Sequence, residues 1–156
     1  MIEEAAMEPG FSVFMFVSRP VETVFEAVTD PAILSRYFTT GGAVGRIEAG
    51  RSVTWDFHDF PGAFAVQVDE VVPNERIVLR WPANDEQGGE YHTRVTFTFT
   101  PTEDGRTKVE IADSGWPETP SGLKTSYGNC MGWSQMLAAL KMWVEHGINL
   151  REGAYR

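Results

Sequence analysis

Gly132-Trp133-Ser134-Gln135-Met136-Leu137-Ala138-Ala139-Leu140-Lys141-Met142-Trp143-Val144-Glu145 is the stretch whose spacing decides the fold. Apolar residues recur at 133, 136, 137, 140, 143 and 144, which places them along one stripe of a helix. The stripe is broad and soft, with two Trp, two Leu, one Met and one Val. The pattern predicts a long helix over about residues 121–149. Side chains this wide suit a single helix laid across a curved antiparallel sheet. They reach the sheet and leave room for a void beneath the helix.

Upstream, from Val44 to Asp113, the apolar period changes to two. Val53, Trp55 and Phe57 alternate with Thr54 and Asp56. Phe64, Val66 and Val68 follow a break at Phe60-Pro61-Gly62, and Ile77, Leu79 and Trp81 follow a turn at Pro73-Asn74. Tyr91, Thr93, Val95, Phe97 and Phe99 share one face, with His92, Arg94, Thr96 and Thr98 on the other. Glu103-Asp104-Gly105 is a good hairpin turn into Thr107, Val109 and Ile111. One apolar and one polar face mark an antiparallel sheet with one solvated side. Arg80 and Glu110 have polar-face parity.

Nearer the N-terminus, the run Phe11 to Val17 is apolar on both faces and reads as a well-covered strand. Arg19-Pro20 stops it, with Ser18 as the candidate cap of a short helix carrying Val21, Val24, Phe25 and Val28. Asp30-Pro31 starts a second short helix with Ile33, Leu34, Tyr37 and Phe38, which Gly41-Gly42 ends. Residues 1–10 contain three Glu and no periodicity, and read as a flexible tail before a single domain over 11–150. The layout is strand, two short helices, about six strands and a long helix.

Two of these segments carry a resemblance to a known family. Arg19-Pro20-Val21-Glu22-Thr23-Val24-Phe25-Glu26-Ala27-Val28-Thr29-Asp30-Pro31, with Leu34 and Tyr37-Phe38, stands at one end. Gly132-Trp133 with Leu137, Leu140 and Glu145 stands at the other. Together they resemble the activator of heat-shock-protein-90 ATPase homologues, within the START-like or SRPBCC helix-grip superfamily. The resemblance spans about Phe11 to Gly147 and does not extend to the separate N-terminal domain of the eukaryotic chaperone activators. It implies an α+β fold in which a seven-stranded curved sheet grips the C-terminal helix around an apolar cavity. It does not imply a chemistry, since the superfamily includes lipid carriers, hormone receptors and aromatic cyclases. The family pattern often has Trp where this chain has Tyr37.

Composition narrows the partners. The 156-residue chain has a net charge of −9, which opposes nucleic acid and anionic membrane surfaces. No apolar run approaches the roughly 18 residues of a membrane span, and a cytoplasmic location is expected. The single cysteine, Cys130, excludes an internal disulfide and reads as a core residue. His58, His92 and His146 lack metal-ligand spacing, and Gly41-Gly42-Ala43-Val44-Gly45 follows a helix rather than preceding one, the wrong order for a phosphate loop. No metal, nucleotide or other cofactor is therefore expected. His58-Asp59 could act as a general base with its orienting carboxylate, but reads more simply as a solvated loop pair.

The aromatic residues carry the functional expectation. Trp55, Trp81, Phe97, Trp133 and Trp143 share inner-face positions, Met136 lies on the same helix stripe, and Trp116 sits in the link that enters the last helix. These seven are the candidate ligand-binding residues, with the pocket mouth near Trp116 and the two short helices. The leading expectation is a binding protein for a small hydrophobic or aromatic ligand. A polyketide-cyclase-like enzyme and a chaperone-associated stress or interaction protein are the alternatives. The sequence identifies no catalytic residue, and the oligomeric state is open.

Overall fold

The computed structural model describes residues 8–85 and 89–155. Residues 1–7, most of the expected tail, lie outside them, and Pro9 in the remainder is buried. The elements run β1 (Phe11–Val17), α1 (Val21–Thr29), α2 (Pro31–Tyr37), β2 (Gly42–Val44), β3 (Ser52–Phe57), β4 (Phe60–Val72), β5 (Arg76–Asp85), β6 (Gly89–Pro101), β7 (Thr107–Ser114) and α3 (Pro120–His146). The strands form one antiparallel seven-stranded sheet in the order β1-β7-β6-β5-β4-β3-β2. The curved, unclosed sheet wraps α3. The fold is the α+β helix grip that the alternation followed by the amphipathic run predicts.

Register explains the core. Val95, Phe97 and Phe99 of β6, Val109 and Ile111 of β7, and Ile77 and Leu79 of β5 are all buried. The helix lays Trp133, Met136, Leu137, Ala139 and Leu140 against this face. Burying each large side chain is worth roughly 1.5–3 kcal/mol, so this contact dominates the helix's stability. The opposite face carries ion pairs such as Arg80–Asp69 and Arg76–Glu70, which are exposed to solvent and screened by it.

Several local expectations are corrected. β1 is an edge strand rather than a covered one. Phe14 is 56% exposed, with the Lys108 ammonium 4.7 Å from its ring, while Arg106 lies 4.8 Å from the Phe16 ring. Among the described residues, the outer apolar residues of β1 are thus met by cationic side chains from the β6–β7 hairpin and β7 and not by another layer. Ser18 does not cap α1. The cap position is Pro20 without a side-chain bond, and the Ser18 N–H donates instead to Glu145 Oε2 at 3.2 Å. β4 does not break at Pro61-Gly62; it begins at Phe60 and absorbs the irregularity as a register shift opposite Trp55 and Phe57. Cys130 is half-buried rather than a core residue.

The starts of α2 and α3 are capped by side chains, α2 ends at Tyr37 ahead of the Gly41-Gly42 stop, and α3 ends at His146 rather than near 149. Asp30 caps α2, accepting from Ala32 N at 2.8 Å, and Thr119 caps α3, accepting from Gly122 N at 3.0 Å. Tyr37 donates its buried hydroxyl to Ala27 O at 2.8 Å, tying α2 to α1. Gly147, at φ 67°, ends α3 in the left-handed conformation that glycine adopts without strain. It turns the chain toward the β3–β4 hairpin.

Candidate functional site

Beneath the N-terminal half of α3 lies a pocket of about 550 Å³. Its walls come from five places. The end of α2 supplies Phe38, and the β3–β4 hairpin supplies Phe57 and Asp59. β5 supplies Trp81, and α3 supplies Gly128, Asn129, Met131, Gly132, Trp133 and Gln135. The segment after α3 supplies Arg151 and Tyr155.

The aromatic wall is a continuous network of ring contacts, edge-to-face except for the tilted Phe38–Trp133 pair. Trp133 stands 5.0 Å from Trp81, 5.6 Å from Phe97 and 5.9 Å from Phe38, centroid to centroid. Phe38 in turn meets Phe57 at 5.0 Å and Trp55 at 5.6 Å. Such contacts fix each ring's tilt as well as its position. The rings therefore form a rigid surface rather than a set of mobile side chains.

The polar end is built by the last residues. Asn149 Oδ1 accepts from Arg151 N at 3.1 Å, making a tight turn that points the Arg151 side chain back into the molecule. Arg151 then donates Nε and Nη2 to the two oxygens of Asp59 at 3.2 and 2.8 Å. The side chains are only 12% and 6% exposed. The guanidinium also lies 4.9 Å from the Phe57 ring, 5.3 Å from Tyr155 and 5.8 Å from Phe38. Charge pairing and ring contacts together offset the cost of burying the two ions.

Behind the aromatic wall lies a second polar group. Trp133 Nε1 donates to Asp113 Oδ2 at 3.2 Å, and Asp113 is 1% exposed. Burial pushes its carboxyl up to about 6, partly opposed by the nearby Thr93 hydroxyl and the Trp133 N–H. Thr93 is close enough to act on the carboxyl, yet Thr93 Oγ1 and Asp113 Oδ1 complete no hydrogen bond. Asp113 therefore orients the indole that faces the pocket, and is not itself among the lining residues.

Of the seven candidates read from the sequence, Trp81 and Trp133 line the pocket. Trp55, Phe97 and Met136 are buried in the core, with Trp55 and Phe97 in direct ring contact with that pair. Trp143 is half-buried farther along α3, and Trp116 is buried beside Tyr91, 6.1 Å from its ring. Neither is among the lining residues, and the pocket borders the C-terminal segment and the β3–β4 hairpin rather than Trp116. His58 and Asp59 do not form a pair. Asp59 gives both oxygens to Arg151, while His58 lines a separate small depression with Ser35, Thr40, Asn149 and Glu152. The solvated loop pair expected there is thus corrected for Asp59. The parity of Thr107, Val109 and Ile111, extended by one step, marks Asp113 as inward-facing. Nothing in the sequence joins Asp59 to Arg151, which lie in two aperiodic segments.

A curved sheet gripping one long helix around an aromatic pocket defines a helix-grip domain of the START-like, or SRPBCC, type. Within that class, residues 18–145 match the model of the family described as Activator of Hsp90 ATPase homolog 1-like protein, and the chain belongs to that family. Among solved structures, it is similar to protein SSP2350 from Staphylococcus saprophyticus, at 27% identity and a TM-score of 0.76, over 91% of this chain and 96% of that one. It is also similar to DynU16, a protein of the dynemicin biosynthetic locus, at 28% identity and a TM-score of 0.75, over 92% of this chain and 49% of that one. The Aha1 dimer from Colwellia psychrerythraea shares the fold at 21% identity and a TM-score of 0.72, over 88% and 97% of the two chains. Curated proteins give no significant match. Among the described residues, no helix is long and apolar enough to cross a membrane, and no cluster of metal-ligating side chains occurs.

Proposed function

We propose that the protein binds a small hydrophobic or aromatic molecule in the pocket between the sheet and α3. The observation that carries this reading is a pocket of about 550 Å³ lined by Phe38, Phe57, Trp81, Trp133 and Tyr155, with one ion pair at its edge. Small-molecule sites of roughly 300–1,000 Å³ combine a mostly apolar lining with a few placed polar groups, and this pocket has that composition. A cyclase-like reaction finds less support. It needs a side chain free to move a proton at the ligand; Asp59 is committed to Arg151 and Asp113 lies behind Trp133, which leaves the Tyr155 hydroxyl of the lining as the one such group among the described residues.

The test is a panel of fatty acids, sterols and polycyclic aromatic compounds, read by indole fluorescence and by melting temperature. A binding protein shows saturable quenching together with a rise in Tm that grows with ligand concentration. A panel that moves neither signal removes the basis of the reading.

A second reading, a protein-interaction module, is favoured by one observation. Leu123, Tyr127 and Met131 are exposed at four-residue intervals along one side of α3. Light scattering across a concentration series, and titration with a chaperone of the Hsp90 type, would support this reading through a mass increase that Tyr127→Ser abolishes.

A further inference from the structure

We propose that the molecule taken by this pocket is neutral, planar and aromatic and carries a carbonyl-type acceptor oxygen, to which Nη1 of Arg151 donates while Asp59 holds the guanidinium in place. This rests on the reading of the pocket as a small-molecule site and adds the chemistry of its occupant.

Arg151 and Asp59 are the charged side chains among the described residues that line the pocket. Asp59 engages Nε and Nη2, so the rigid guanidinium plane is pinned along one edge. Nη1, on the remaining corner, has no acceptor among the described residues. The guanidinium carbon lies 4.9 Å from the Phe57 ring and 5.3 Å from the Tyr155 ring, and its N–H donors lie in the guanidinium plane. Of the two amides in the lining, Asn129 donates Nδ2 to Thr125 O at 3.1 Å, whereas Gln135 makes no hydrogen bond among the described residues. The unspent polar capacity that the site offers a ligand is therefore one charged donor, one uncommitted amide and the Tyr155 hydroxyl.

Three classes of occupant compete for such a site. A pure hydrocarbon would cover Nη1 without replacing its water, and burying an unmade donor of a charged group is unfavourable. An anion would meet the donor, but it would approach the carboxylate of Asp59 at the same guanidinium, in a chain whose net charge is −9. A cation suits aromatic rings. Here, however, Arg151 already occupies that place, and both oxygens of Asp59 are engaged. A neutral oxygen acceptor on a flat ring system satisfies Nη1, adds no charge and stacks on the Trp81–Trp133 wall.

Three probes of one ring system separate these classes: 2-acetonaphthone, 2-ethylnaphthalene and 2-naphthoate. Dissociation constants are read by NMR from the Trp81 and Trp133 indole N–H signals, in the wild type, Arg151→Gln and Arg151→Lys. The ketone is expected to bind most tightly. Arg151→Gln should weaken the ketone about tenfold and the hydrocarbon less than about twofold, the size of a single hydrogen bond to a charged donor. Arg151→Lys, which keeps the charge without the planar fork, should fall between. Tightest binding by naphthoate, or an equal loss for all three probes in Arg151→Gln, overturns the proposal while leaving the pocket a ligand site. If no probe moves either signal, the proposal fails, while the ligand-binding reading is decided by the wider panel of fatty acids and sterols. Because Arg151→Gln leaves the buried Asp59 carboxylate unpaired and lowers Tm, an intact amide spectrum at the assay temperature, and the unequal loss among the three probes, distinguish a lost contact from a lost fold.

Discussion

From Trp133 onward, α3 buries Trp133, Met136, Leu137, Ala139 and Leu140 against the sheet, whereas from Pro120 to Gly132 it buries only Gly122 and Ser126. The C-terminal half is also stitched to the start of the chain. Lys141 Nζ donates to Phe16 O at 2.8 Å, and Arg19 Nη2 to Glu145 O at 2.7 Å. The N-terminal half instead shows Leu123, Tyr127 and Met131 to solvent and places Gly128, Asn129 and Gly132 over the pocket. One helix thus serves as core at one end and as roof at the other. The difference arises from side-chain size: where wide rings face the sheet the space fills, and where glycine stands the space stays open.

The sharpest break of that comparison is Trp133→Ala. Trp133 is the first buried residue of the core half and the shared member of three ring contacts. Its truncation is expected to cost about 3–5 kcal/mol in denaturant unfolding. Tyr127→Ala, six residues earlier on the roof half, should change stability by no more than about 0.5 kcal/mol. Equal effects would show that the two halves do not differ in packing.

Asp113→Asn tests how the core half tolerates its buried carboxyl. The folded-state pKa is about 6 against an ordinary 3.8, so the folded protein holds the proton more tightly than the unfolded chain. Stability from this group is therefore greatest below pH 4 and is lost as pH rises from about 4 to about 6, up to about 3 kcal/mol in all. The asparagine variant keeps an acceptor for the Trp133 N–H and never ionises. It should be more stable than the wild type at pH 8 and no more stable at pH 4. The wild-type indole fluorescence should titrate near pH 6, and that transition should be missing in the variant.

Glycines of the roof half provide a pair of opposite sign. A Cβ on Gly122 would stand 2.1 Å from Pro117 O, so Gly122→Ala is expected to destabilise by about 1–3 kcal/mol. A Cβ on Gly128 or Gly132 meets nothing within 4 Å, so alanine there should stabilise by about 0.5–1 kcal/mol through helix propensity. The Gly132 variant should also narrow the pocket, weakening bulky ligands while raising Tm.

The smallest expected effect is dynamic. Amides over residues 123–131 should exchange hydrogen faster than those over 136–144, because fewer buried contacts hold the roof half closed. Addition of a bound aromatic ligand should slow the first group and leave the second unchanged.

Much of this architecture was legible before the structure. The two-residue period of 53–111 specified an antiparallel sheet with a solvated face, and the stripe from Trp133 to Val144 specified the helix that the sheet grips. The same patterns singled out Trp81 and Trp133, which line the pocket, together with Trp55, Phe97 and Met136 in the core around them. Phe14 and Phe16 misled because an alternation of hydrophobicity does not say what covers a face. Cationic side chains from another strand and its hairpin cover it here.

Periodicity is a property of a local segment, and it determined what local geometry can determine: which faces are apolar, and hence the sheet, the helix and their contact. It could not determine the polar end of the pocket. Asp59 sits in a hairpin turn and Arg151 in an irregular segment 92 residues away, so no repeat relates them. Their ion pair exists because Gly147 reverses the chain and Asn149 aims it at the β3–β4 hairpin. That convergence belongs to the tertiary structure alone, since only the folded backbone brings two aperiodic segments within hydrogen-bonding distance.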